Sequence, residues 1–115
     1  DFSTSLCFVE DMVEGLFKLM ESKEKGPMNL GYPQEYRLAD FAQKIIDTVG
    51  SQSKVECRGA LPFMTPLGLP DISLAREKLG WFPITRLEEG LEKLIDYVKA
   101  NRMLLQPLVN KYDQE

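Results

Sequence analysis

The chain is 115 residues long, 43% apolar and 28% charged, with 14 basic residues against 18 acidic ones, a net charge of −4 and no histidine. That is the composition of one soluble domain, or one subdomain of something larger, able to bury roughly 65% of its unfolded surface; it excludes Ser/His and Cys/His hydrolytic sites and argues against a zinc or other metal site and against a nucleic-acid surface, which needs a basic stripe. No apolar run approaches a membrane span, no signal peptide opens the chain, and two cysteines outside any CxxC spacing fit the reduced thiols of a cytoplasmic protein.

Residues 1–9, DFSTSLCFV, predict a short extended piece. From Phe8 onward Val9, Met12, Val13, Leu16, Phe17 and Met20 recur at helical spacing, with Glu10 and Asp11 in the first turn where the helix dipole favours acids. PMNLGY, between Pro27 and Pro33, predicts a strand of about four residues. YRLADFAQKIIDTVG places Leu38, Phe41, Ala42, Ile45, Ile46 and Val49 on one stripe closed by Gly50, an amphipathic helix with a poor cap because Arg37 stands where Ser, Thr or Asp would help. KVECR, alternating Val55 and Cys57 with charged neighbours, predicts another strand. A loop dotted with proline and glycine follows, GALPFMTPLGLP.

PDISLAREKLGWFP predicts a short punctuated helix. Asp71 can accept from its free N–H groups, Leu74, Ala75 and Leu79 share a face, Gly80 can adopt the left-handed closing conformation and Pro83 bars resumption. Trp81, just behind it, reads as a core residue rather than a stacking surface for a ligand. The last strong helix starts at Thr85, where Thr85 and Glu88 form a capping box and Leu87, Leu91, Leu94, Ile95 and Val98 make a buried face. Beyond Asn101 the period fades and Pro107 breaks it, so residues 1–101 are expected to form the folded unit and residues 102–115 a docked or loose tail.

About four helices with two or three short strands make a mainly helical α/β set whose strands are too few to bury a sheet of their own. Such a set is expected of a piece of a larger α/β protein, and an opening without methionine, in an extended segment, points to processing or excision. The blocks LCFVEDMVEGLFKLM, GPMNLGYPQEYRLADFAQKI and PDISLAREKLGWFPITRLEEGLEKLIDYV, in that order over residues 4 to about 99, resemble the carboxy-terminal portion of extended short-chain dehydrogenase/reductases that act on nucleotide sugars. The likeness is strongest to UDP-glucuronate decarboxylase (UDP-xylose synthase), with dTDP-glucose 4,6-dehydratase and UDP-sugar epimerases more distant. The resemblance implies the substrate-binding lobe of an NAD-dependent enzyme, lacking its Rossmann domain.

In such enzymes a glycine-rich turn holds the NAD pyrophosphate and a Tyr-x-x-x-Lys pair supplies acid/base chemistry. Neither occurs here: the glycines are scattered, and Tyr32, Tyr36, Tyr97 and Tyr112 have no lysine four residues on. No catalytic residue and no cofactor is therefore expected in this chain itself, although NAD is expected of the parent enzyme. Family members carry phosphate-directed arginines where this sequence has Thr4 and, before the PDI block, Gly68 or Leu69; an acidic pair is replaced by Phe63 and Met64. Two lost charged hydrogen bonds cost about 3–6 kcal/mol, so UDP-sugar binding is expected to be weakened. Cys7, matching a family residue beside the sugar, and Arg58, the one arginine near the loop, are the weak candidates for substrate contact. Their bland readings are a small buried hydrophobe and a solvated strand-end charge.

Glu88 and Glu89 diverge on a helix and fit its first turn better than an acid/base pair, and the five methionines read as core filler. Three functions stay open: a substrate-binding lobe that pairs with the missing Rossmann half or self-associates, a degenerate protein-interaction module using the apolar loop 61–70, and a bare structural remnant.

Overall fold

The helices begin and end largely where the sequence punctuates them. In the computed structural model, which describes residues 2–64 and 68–112, the order is β1 (Ser3–Thr4), α1 (Val9–Glu21), β2 (Tyr36–Arg37), α2 (Leu38–Val49), α3 (Ser73–Leu79), α4 (Leu87–Ala100) and α5 (Arg102–Tyr112). β1 and β2 pair antiparallel, with Ser3 opposite Arg37 and Thr4 opposite Tyr36. One further bond, from the Leu38 N–H to the Phe2 carbonyl at 2.9 Å, ties the start of α2 to this ladder. It stands in for a capping side chain: Arg37 occupies the cap position and makes no capping bond.

Two of the expected strands, at 28–31 and 54–58, are irregular backbone, and the second is exposed throughout. Alternation marks a segment that fits a sheet, but a strand also needs a neighbouring edge for its N–H and C=O groups. Among the described residues neither segment has such a neighbour. In the tail, residues 102–112 are helical through Pro107, which was expected to break the pattern. Leu104, Leu105, Leu108 and Val109 keep a helical spacing that the proline obscures; the ring removes one N–H and leaves the bonds on either side available. Residues 113–115 of that tail lie outside the described residues.

Trp81 is the centre of the core, 1% exposed, packed with Ile72 and Ala75 and flanked by Met28, Leu30 and Leu79. The punctuation around it places it there. Asp71 accepts from the Ser73 N–H at 2.9 Å, Gly80 closes α3 at φ +61°, and the Trp81 N–H reaches back to the Ala75 carbonyl at 3.3 Å. From Trp81 to Thr85 the chain is extended, with residues 81, 83 and 85 buried and 82 and 84 exposed.

Thr85 does not cap α4. That helix starts two residues later with Arg86 at its cap and no side-chain bond. Thr85 instead turns inward to α1, where its N–H donates to Asp11 Oδ2 at 2.9 Å and its hydroxyl to Asp11 Oδ1 at 3.1 Å. The Trp81 indole N–H donates to the Asp11 backbone carbonyl at 2.9 Å. Asp11 is buried, and these partners satisfy it.

The inward face of α1 is therefore Asp11 and Gly15, while its apolar stripe points out: Val9, Val13, Leu16, Phe17 and Met20 are exposed, Met20 to 83%. On α4 only Leu91 of the expected face is buried; Leu87 and Ile95 are half-buried, and Leu94 and Val98 are exposed. On α2 no residue is fully buried, and on α3 Leu74 is exposed. The totals agree. A compact 13.1 kDa protein exposes about 6,400 Å² with a radius of gyration of about 13 Å, whereas this chain exposes 9353 Å² with a radius of 16.9 Å.

Candidate functional site

Two hollows hold the candidate residues, and they are separate. The larger, about 510 Å³, lies between the β1–β2 ladder, the first turns of α2 and the segment 55–64; Phe2, Arg37, Leu38, Val55, Arg58 and Leu61 line it. The Arg58 guanidinium faces Glu56, with Nε 3.4 Å and Nη2 3.5 Å from the carboxylate oxygens. Arg37 pairs with Asp40 at 3.8 Å. Arg37 was legible in the sequence only as a poor helix cap. A charge at a cap position that does not serve the helix was the available signal.

The second hollow, about 340 Å³, is an apolar groove between the β1–α1 junction and α4, lined by Cys7, Phe8, Phe41, Thr85, Leu91 and Leu94 among others. Burial first, and then the Asp11 carboxylate, pushes the Cys7 thiol above its ordinary range, and its Sγ lies 3.7 Å from the Phe8 carbonyl. The structure does not bring Cys7 and Arg58 into one hollow. Cys57, by contrast, is exposed. Iodoacetamide at pH 8 is expected to alkylate Cys57 first and Cys7 about tenfold more slowly or worse, because only the thiolate reacts; peptide mass spectrometry of a time course reads the order, and equal rates would contradict the assignment.

Tyr36 and Lys44 line a third, shallow hollow. They do not make an acid/base pair. Lys44 is held by Glu88 at 2.6 Å, and burial, Tyr32 and Glu88 push the Tyr36 hydroxyl up despite Lys44; a tyrosine base needs its pKa lowered towards the working pH. Glu88 is thus an ion-pair partner joining α4 to α2, and Glu89 pairs with Lys93. The Thr4 hydroxyl, in β1, donates to the neighbouring Ser5 carbonyl at 3.4 Å. In the apolar loop Leu61, Phe63, Met64 and Leu69 are exposed, Phe63 to 80%, while residues 65–67 lie outside the described residues.

The described residues do not fit a dinucleotide cradle. β1 passes into α1 through Ser5–Phe8 without a glycine, and the positive-φ glycines, Gly50 and Gly80, close helices at their carboxyl ends instead of opening one towards a phosphate. Among the described residues no helix is long and apolar enough to cross a membrane.

No family model matches the sequence. The chain is 38% identical over 87 residues to UDP-glucuronic acid decarboxylase 3 of Arabidopsis thaliana, covering 76% of this chain and 25% of that protein. Its backbone superimposes on the epimerase Mth375 of Methanothermobacter thermautotrophicus with a TM-score of 0.85 at 26% identity, over 91% of this chain and 32% of the other. The chain belongs to the extended short-chain dehydrogenase/reductase family. A second structure, Bordetella bronchiseptica WbmF in complex with NAD+ and UDP, matches 97% of this chain and 34% of its own at a TM-score of 0.80 and 25% identity. The chain spans about a quarter of the length of the curated relatives it matches. Within the family it is similar to the carboxy-terminal, mainly helical portion.

Proposed function

We propose that this chain is the substrate-binding lobe of an NAD-dependent enzyme acting on a nucleotide sugar, of the UDP-glucuronate decarboxylase kind, and is not catalytic by itself. The similarity to UDP-glucuronic acid decarboxylase over three quarters of the chain carries the reading. In the whole enzyme NAD, held by another portion, supplies the hydride chemistry. The residues here would bind and orient: Arg58 at the charged part of the ligand, Cys7 as part of the wall on the sugar side. Lying in separate hollows, they would meet different parts of a long ligand.

The same reading accounts for the uncovered surface. The chain exposes roughly 3,000 Å² more than a compact protein of its mass, and the α1 stripe is part of it. Permanent interfaces bury about 2,000–5,000 Å² or more over both partners, and the large ones take about 2,500 Å² or more from each. That is the scale of a docked second portion, and the structural relatives are about three times as long as this chain. Folding unit 1–101, with α5 following α4 as an appendage, is part of the proposal.

A second reading is favoured by the exposed loop residues Leu61, Phe63, Met64 and Leu69, which suit a contact with a protein partner. Calorimetric titration of the 115-residue chain with UDP and UDP-xylose separates the two. Saturable binding at micromolar concentration is expected from the lobe, without NADH formation when NAD is added. Silence to both ligands, together with self-association on a sizing column, would replace the first reading by the second.

A further inference from the structure

KVECR, residues 54–58, has the alternation of a strand and no neighbouring strand among the described residues. Two turns bound the free stretch. Before it, the Ser51 hydroxyl donates to that of Ser53 at 2.9 Å and accepts from the Ser53 N–H at 3.0 Å. After it, the Met64 N–H donates to the Leu61 carbonyl at 3.0 Å across Pro62. Residues 54–60, between the turns, are all exposed, and among the described residues no hydrogen bond uses their backbone N–H or C=O groups. Exposed backbone of this kind is a template on which another strand can pair.

The charges identify that other strand. The midpoint of the free stretch is Cys57. Antiparallel pairing of two copies about this residue sets Glu56 opposite Arg58 of the second copy, Arg58 opposite its Glu56, and Val55 opposite its Gly59. Centring the pair on Glu56 or on Arg58 opposes like charges instead. Centring it on Val55 needs residues 51–53, which the serine turn holds bent. Within one copy Glu56 and Arg58 pair at 3.4 Å, but both are exposed, and such a pair is exchanged at little cost.

We propose that residues 54–60 are the interface of a two-fold homodimer, in which two copies of this chain pair antiparallel about Cys57. The same patch serves both copies, so the assembly closes at two. Leu61 and Phe63, exposed and next along the chain, continue the contact past the ladder. The interface is small, and a dissociation constant of roughly 10–100 µM is expected. None of this rests on the proposed function. The pairing does use the Arg58 that the proposed function turns towards a ligand, so the test is run without nucleotide.

The test is sedimentation velocity of the full chain under reducing conditions, over roughly 5–500 µM. The native sequence is compared with Glu56→Arg, with Arg58→Glu and with the double variant carrying both. Each single variant sets like charges opposite each other at two places and is expected to weaken the dimer roughly ten- to a hundredfold. The double variant restores both pairs with their signs exchanged and is expected to return to within about threefold of the native chain. General charge repulsion predicts a different pattern: Glu56→Arg moves the net charge of −4 towards zero and Arg58→Glu moves it away, so the two would act in opposite directions. Thermal melts matching the native chain show that each variant is folded. A short bismaleimide reads the register, and it is expected to crosslink the native chain and Cys7→Ala but not Cys57→Ser.

A native chain that stays monomeric over the whole range overturns the proposal. So does a dimer that both single variants leave within twofold, a dimer on which they act in opposite directions, or one that crosslinks through Cys7 and not through Cys57.

Discussion

Asp11→Ala is expected to destabilise the chain by about 2–4 kcal/mol, because it leaves two donors of buried Thr85, the N–H and the hydroxyl, without an acceptor. The indole bond to the Asp11 main chain survives the substitution, so the loss measures the carboxylate alone. Asp11→Asn keeps one accepting oxygen and is expected to lose about half as much. Urea unfolding followed by tryptophan fluorescence reads both variants, since Trp81 is the single tryptophan and lies against the clip. The midpoint should fall at unchanged slope, which marks a change in stability and not in the denatured state. Coincident curves for the native chain and Asp11→Ala would show that something other than this carboxylate joins α1 to the 81–85 segment.

That clip was not legible in the sequence, and the reason is instructive. Asp11 has a sufficient local explanation as an acid in a first helical turn, and Thr85 has one as the first member of a capping box. Both explanations use only neighbours in sequence. The structure satisfies the two groups with each other across 74 positions, and local patterns carry no record of such a pair. Where the stop and start signals were backbone signals the reading succeeded: Gly80 at positive φ, Asp71 at the α3 amino end and Trp81 in the core follow from the punctuation alone.

Periodicity established that α1, α2 and α4 each have an apolar face, but it cannot say what covers that face. On α1 the stripe from Val9 to Met20 is uncovered, and the helix packs through a polar and a glycine position instead. The candidate site divided in the same way. Arg58 could be singled out by type and place and Cys7 by its match to a family residue, whereas Arg37 joined them only once the β1–β2 register placed it on Arg58's cleft. The two strand assignments at 28–31 and 54–58 failed because a strand is a property of a pair.

Gly15 decides which face of α1 turns inward, and a double-mutant cycle with Trp81 can measure it. A Cβ at position 15 would lie 2.9 Å from Trp81 Cε2, 3.0 Å from its Nε1 and 3.2 Å from Leu30 Cδ1. Alanine gains about 1 kcal/mol of helix propensity over glycine. Overpacking against a rigid, fully buried indole costs typically 1–3 kcal/mol, so Gly15→Ala is expected to be destabilising on balance by up to about 2 kcal/mol. Trp81→Leu removes both of the crowding indole atoms and puts no ring in their place. It destabilises the chain by itself, since the bond to Asp11 goes with them. In that background the added methyl has room, and Gly15→Ala should become neutral or stabilising by about 1 kcal/mol. The coupling between the two sites is then about 2 kcal/mol, within the range for residues in contact. Equal effects of Gly15→Ala in both backgrounds would mean that the helix shifts to relieve the contact. With the contact intact, helix and indole meet at the one position of α1 lacking a side chain, and the stripe from Val9 to Met20 is held outward.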